Sequence, residues 1–261
     1  MIAAFHLFVS TMGVHAHNTI MRPFYRIVLF IQPIVITTTV HMIYQNRTDD
    51  YFAQFVILGG GLAGIWSAMT FSTAGDVERA RLQGVFSVLM AAPASLGFIF
   101  IAKIVMNALL SLLALVITVV YSWLVLGVQL SLPHPAAFGL ALLGFLFGAS
   151  GFALLLANLF LLTRTAWIFQ NVLESPLFIL GGVAFPITML PAWARWISGA
   201  LPIRWGSEAL YATLAATPLD QQYWQALEWT FITGLLYFAL AQLLFRYIEY
   251  RVRERGNLET A

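Results

Sequence analysis

Few side chains in this 261-residue chain are able to do chemistry, and most of them stand alone. Glu174 is the acidic residue that falls well inside an apolar run, two turns from its start, with Asn171 one turn before it and Pro176 just after. An isolated ionised carboxylate at such a depth costs about 2.5–3.5 kcal/mol, so it must face protein or a water-filled cavity. There it would bind substrate, gate a pathway or pass a proton; helix packing is the plainer role, and both stay open. Lys103 lies about one turn inside another run, where its stem can reach back to the headgroups, a reading preferred here over ion transport. Asn107 and Asn158 suit hydrogen bonds between helices. His6, His15 and His17 could suggest a metal site. Spacings of nine and two residues, however, do not bring three imidazoles onto one helical turn, and they are read as the polar face of a helix. Asp76 and Glu78 stand beside Arg79 and Arg81, as on a solvated, charge-balanced helix.

Much chemistry has no carrier. There is no GxxxxGK[ST] stretch, and the single lysine follows Phe100-Ile101-Ala102 within an apolar run, so no phosphate-cradling loop is expected. HExxH is absent; Gly148-Ala149-Ser150-Gly151 lacks the spacing of a nucleophile elbow. Zero cysteines exclude disulfides, thiolate metal sites and a cysteine nucleophile. No catalytic residue, metal site or resident cofactor is expected.

The elements that must position these groups follow from composition. Hydrophobic residues make up 61% and charged residues 9%, against about 45–50% and 25% in soluble domains. Such a surface must meet lipid. A formal net charge of +2 supplies no basic patch, which excludes a nucleic-acid partner. Six segments have the roughly 20 apolar residues that a spanning helix needs: 25–44, 52–71, 99–125, 136–162, 167–185 and 227–247. Gly60-xxx-Gly64 and Gly144-xxx-Gly148 predict close helix contacts. The fold class is therefore all-α, a polytopic membrane protein.

Arg22, Arg26, Arg79, Arg81, Lys103, Arg164, Arg246, Arg251, Arg253 and Arg255 fall on one side, and Arg47, Arg195 and Arg204 on the other. This asymmetry puts both termini in the cytoplasm. With the first charge at Arg22, no cleaved signal peptide is expected. Residues 1–22 form an amphipathic pattern. Ile2, Phe5, Phe8, Val9, Met12, Ala16 and Ile20 share one face, opposite the three histidines, as in a helix lying in the cytoplasmic interface.

Two stretches carry a family resemblance. Residues 72–93, with Arg81, Gly84, Leu89 and Pro93 in register, resemble the "ERxxGTxExLLxxP" stretch of ABC-2 type transporter permeases, the membrane subunits of ATP-binding-cassette exporters. Ala80, Val85 and Ser87 depart from the pattern, and Asp76 and Glu78 are candidates to supply the displaced acidity. Residues 180–210 are similar to the family's "SGxxFPxxxLPxWxxWxxxxxPlxxxxEAl". Gly182, Phe185, Pro186, Leu190, Pro191, Trp193, Trp196, Pro202, Glu208, Ala209 and Leu210 match it. The basic ending from Arg251 to Leu258 also looks like the family's tail.

The resemblance implies one transmembrane domain over 1–261, in the bacterial inner membrane. Within it lie the interfacial helix, a cytoplasmic coupling segment at 72–95, and an external cap of short re-entrant or interfacial helices at 186–224. A plain aromatic belt of Trp193, Trp196, Trp205 and Trp224 is the competing reading, and the cap is preferred because the resemblance implies it. The implied function is export of a hydrophobic or amphiphilic substrate: a drug, a lipid or a lipid-linked glycan. The region before the first span lacks the basic residues expected of polysaccharide permeases, which favours a drug or lipid. Two copies of a separate ATPase, holding the ATP and magnesium, and a second permease, identical or paralogous, are the implied partners, with membrane lipids around them. Glu78, Arg79, Arg81, Gly84 and Pro93 are the expected coupling residues. Asn107, Glu174, Phe185, Pro186 and Glu208 are those of the pathway and its gating. The competing reading is an ion-coupled secondary transporter using Glu174; a lipid-modifying enzyme is disfavoured by the missing catalytic groups.

Overall fold

A computed structural model of the chain describes residues 2–44, 50–82, 96–162, 166–183, 185–215 and 217–255. Among them every regular element is helical. An N-terminal helix α1 (Ile2–Ile20) turns at Met21 and Arg22 into α2 (Pro23–Tyr44), with Pro23 at the first helical position, where its missing N–H costs nothing. Then come α3 (Asp50–Leu82), α4 (Leu96–Leu124), α5 (Pro135–Leu162) and α6 (Ala166–Leu180). A short 3-10 turn (Ile187–Met189) leads to α7 (Ala192–Gly199), α8 (Pro202–Ala212) and the long α9 (Gln221–Arg255).

Five of these helices are long and apolar enough to cross a membrane: α2, α4 and α5, with the 55–79 stretch of α3 and the 221–251 stretch of α9. The chain is an integral membrane protein. The remaining predicted span is shorter than the sequence suggests. Its helix stops at Leu180 rather than running to Phe185, so its 15 residues cover about 22 Å against a hydrocarbon core of about 30 Å. The stop is a Schellman turn. Gly182 takes φ +62, its N–H donates to Ile179 O at 3.2 Å, and Val183 N–H donates to Phe178 O at 3.3 Å.

α3 corrects a second expectation. The 72–82 stretch is not a separate charged helix but the last three turns of the spanning one. Ser72 and Asp76 find partners inside the bundle there, so the chain gains nothing by breaking.

The core runs along α3, which is buried from Phe55 to Ala74. Trp66, Leu62 and Ile65 pack with Phe145, Phe152 and Phe160 of α5 and Phe245 of α9. A Cβ at Gly64 would meet Pro33 of α2 at 2.9 Å and Ala114 of α4 at 3.0 Å, so that glycine lets three helices converge. On the other side a Cβ at Gly151 of α5 would lie 2.7 Å from the Gly234 carbonyl of α9, the backbones meeting directly.

Candidate functional site

Three polar constellations are spread along the bundle, and each ties different helices. The first sits at mid-length. Gln32 projects from α2, Ser67 from the middle of α3 and Glu174 from α6, which lies on α3 rather than on its chain neighbour α5. Ser67 Oγ donates to Glu174 Oε1, and Gln32 Nε2 donates to the same oxygen at 2.7 Å and to Ser67 Oγ at 2.9 Å. One turn away, Gln170 Nε2 donates to Thr70 Oγ1 at 2.6 Å. Glu174 is buried, while Phe169, Val172 and Ile179 cover the outer face of α6. The carboxylate therefore faces protein through two neutral donors, with no cation paired to it in the described residues. This arrangement can fix α6 against α2 and α3, and it can switch only if a donor swings away.

The second constellation joins α1 to α3 and α4. Arg22 Nη2 donates to Asp76 Oδ1 at 2.5 Å, and His15 Nδ1 lies 3.4 Å from Asp76 Oδ2. His15 Nε2 is 2.7 Å from Asn107 Oδ1 and 3.4 Å from Thr19 Oγ1, and Ser72 Oγ donates to Asn107 Oδ1 at 2.8 Å. Every one of these residues except Arg22 is buried. Burial pulls the His15 ring below the ordinary histidine value; Asp76 and the Asn107 bond oppose this, and Lys103 and Arg22 reinforce it.

Two expectations are corrected here. His15 does not share the exposed face of His6 and His17, because it turns inward while Leu7, Val14 and Ile20 point out. Asp76 is not solvated either; among the residues of that end whose side chains are described, Glu78 and Arg79 are exposed.

The third constellation closes the far end. Tyr211 of α8 stacks on Phe55 of α3 with centroids 4.1 Å apart, and its hydroxyl donates to Val183 O at 2.5 Å. Phe185 lies against Tyr44 of α2 at 6.4 Å. Ser198 and Ser207 donate to Leu180 O and Gly181 O, both at 2.6 Å, and so tether α7 and α8 to the end of α6. Arg204 sits 4.0 Å over the Trp205 ring, which stacks on Trp229 of α9. Glu208 accepts from Gln222 at 2.8 Å and lies 3.6 Å from Arg204 Nε. Trp193, Trp196 and Ile197 remain exposed on α7.

The residues singled out in the sequence do not converge on one site. Glu174 is at mid-length. Asn107 belongs to the Asp76 constellation, and Phe185, Pro186 and Glu208 lie at the α7–α8 end of the bundle. Of the proposed coupling residues, Glu78 and Arg79 end α3 in the open. Arg81 lies on the last turn of its backbone, with its side chain outside the described residues, and Gly84 and Pro93 also lie outside them. Lys103 is half-buried with Nζ 5.4 Å from the Phe100 centroid, and Asn158 donates across to Ala241 O of α9 at 3.2 Å. The described residues hold no group of three or more histidines or carboxylates able to bind a metal.

Sequence reasoning missed Gln32 and Ser67. The only signal was polarity: one amide in the apolar 27–36 stretch of α2, and Ser67 and Thr70 three apart in α3. Either pattern also fits ordinary packing, and only the fold brings them to Glu174.

A sequence model of the family described as ABC-2 type transporter matches residues 9–215. That range takes in all three constellations except Gln222 and Trp229. No curated protein matches the chain.

Proposed function

The chain belongs to the ABC-2 type transporter family, and from that premise we propose that it is the membrane half of an ATP-driven exporter. It is a permease component and not itself a catalyst. A hydrophobic or amphiphilic substrate (a drug, a lipid or a lipid-linked glycan) is moved outward through a pathway formed with a second permease, identical or paralogous. Two copies of a separate ATPase hold the ATP and magnesium. Both termini, with the Arg22 end of the bundle, lie in the cytoplasm of a bacterium, and the α7–α8 cap lies outside.

The observation that carries this reading is the family match over most of the chain, joined to a sequence with no phosphate-binding loop of its own. Energy must then enter by contact. Supporting it, α3 runs as one helix from the bundle centre to Glu78 and Arg79, which stand within the 72–93 stretch that resembles the family's coupling segment. A push on that end reaches Asp76 and Ser67 along a single element. The mid-length cluster then holds α6 until α3 moves, and the cap, tethered to α6 through Ser198 and Ser207, follows it.

The experiment is transport of a fluorescent amphiphile into inverted membrane vesicles. Uptake that needs ATP and survives collapse of ion gradients supports the proposal. Uptake driven by an ion gradient without ATP overturns it in favour of ion coupling at Glu174.

A further inference from the structure

The buried joint between α1, α3 and α4 has a hydrogen-bonding conflict built into it. His15 presents Nδ1 to an acceptor, Asp76 Oδ2 at 3.4 Å, and Nε2 to another, Asn107 Oδ1 at 2.7 Å. A neutral imidazole has one N–H and cannot satisfy both. In the same place Asn107 Nδ2 is buried without a partner. Two arrangements relieve the conflict. In one the ring carries two protons and donates on both sides. In the other the Asn107 amide turns over, so that Nδ2 donates to His15 Nε2 and to Ser72 Oγ, and the neutral ring keeps its single proton on Nδ1 for Asp76. The second gives the stranded amide nitrogen partners for both its protons and leaves an acceptor stranded instead, the cheaper orphan.

Charge decides between them. Asp76 from α3, Arg22 at the α1–α2 junction and Lys103 from α4 face the ring. Arg79 and Tyr25 border the Arg22–Asp76 pair, and His6 and His17 lie on the exposed side of α1. With a neutral ring, Arg22 and Asp76 balance at 2.5 Å. A charged ring adds an unmatched cation to a buried site already facing Lys103, which is costly. Among the described residues of α1 only His15 and Thr19 are buried, while Leu7, Val14 and Ile20 are exposed; this joint, with the edge-on contact of Phe8 on Phe98 of α4 at 5.8 Å, fixes α1 in place.

We infer that His15 is a positioning residue whose neutral ring clamps α1 against α3 and α4 through Asp76 and Asn107, and that the clamp opens when the ring takes up a proton. This deepens the proposed function, because α3 is the helix that leads to the coupling segment. The clamp itself is read from this chain alone. The docked state binds fewer protons than a released, solvated His15, whose ordinary value is about 6.5. Docking is therefore fully present above that value and weakens as pH falls below it, by up to about tenfold per pH unit.

The test uses the full chain in lipid nanodiscs. The chain has no cysteines, so Gly13→Cys on α1 and Leu109→Cys on α4 accept nitroxide labels directly. Gly13 has open space around it and Leu109 is exposed. The distance distribution should be single at pH 8, and a longer-distance population should grow roughly tenfold per unit below about pH 6.5. His15→Gln, which bonds without titrating, should hold one distribution at every pH. An unchanged distribution from pH 8 to 5 in the parent chain, or the same growth in His15→Gln, overturns the inference. Nitrogen NMR of labelled histidine reads the ring itself and needs no variant: a neutral His15 with its proton on Nδ1 at pH 8 supports the clamp, and an already doubly protonated ring refutes it. No ATPase takes part, so failure here leaves the proposed transport reaction standing, and failure of that reaction leaves this result standing.

Discussion

Replacing Glu174 by leucine removes the one acceptor that gathers α2, α3 and α6 at mid-length. Ser67 Oγ and Gln32 Nε2 both lose their bond to Oε1, although Gln32 keeps Ser67 as an acceptor at 2.9 Å. Interhelical hydrogen bonds within membranes are worth about 0.6 kcal/mol on average and about 1.7 at most. Two such bonds, partly replaced, put the cost of Glu174→Leu at about 1–2 kcal/mol. Glu174→Gln keeps a carbonyl oxygen where Oε1 stands and should cost under about 0.5 kcal/mol. Reversible unfolding of the purified permease in mixed micelles measures both. A cycle with Ser67→Ala should return a coupling of about 0.6–1.7 kcal/mol for the leucine change and little for the glutamine one. Transport is expected to follow: glutamine keeps most of it, and leucine loses it at normal membrane abundance. A leucine variant as stable and as active as the parent chain would refute the reasoning. Loss of transport in the glutamine variant alone would show that the charge itself is used, and would move the weight to ion coupling.

Topology is checked by cysteines at Asp50, Pro135 and Thr217, which should react with an impermeant thiol reagent from outside intact cells, while those at Gln83 and Asn257 should not; outside labelling at Gln83 reverses the assigned orientation. Charge reversal of Glu78 and Arg81 together should uncouple ATP hydrolysis from transport with the permease still in the membrane, and undiminished transport would remove the 76–93 segment from the coupling path. Gly151→Ala should destabilise the fold by about 1–3 kcal/mol, because its Cβ would lie 2.7 Å from the Gly234 carbonyl. Gly139→Ala, where a Cβ meets nothing within 4 Å, is the control and should stay within about 0.5 kcal/mol in micelle unfolding.

Hydropathy made α2, α4, α5 and α9 readable, because runs of twenty apolar residues have few other uses. It misjudged both ends of what it found. Leu180 ends α6 because Gly182 can take a left-handed turn, a local event hidden inside a hydrophobic run. α3 runs on past the apolar stretch to Leu82 because Ser72 and Asp76 have partners on other helices, a tertiary event that charge pattern reads as exposure. The same reason put His15 on the wrong side of α1. A polar face beside lipid points to water when read alone, but to protein once α3 and α4 offer Asp76 and Asn107. Glu174 stood out because carboxylates are rare at that depth. Its partners Gln32 and Ser67 did not, since neutral polar residues are common in membrane helices and their meeting requires three helices to be placed. The family motif at 180–210 takes in the turn at Gly182 and the starts of α7 and α8, since its prolines and glycines are dictated by turns.

The central claim, that this chain is driven by an ATPase it does not contain, is tested most directly by its company. The tagged chain is extracted from its native membrane in mild detergent, and every protein that stays with it is identified. The account predicts an ATPase carrying a phosphate-binding loop, in a ratio of two copies to two permease chains, whose release abolishes ATP-dependent transport. A folded, transport-competent chain that purifies with no nucleotide-binding protein would contradict it.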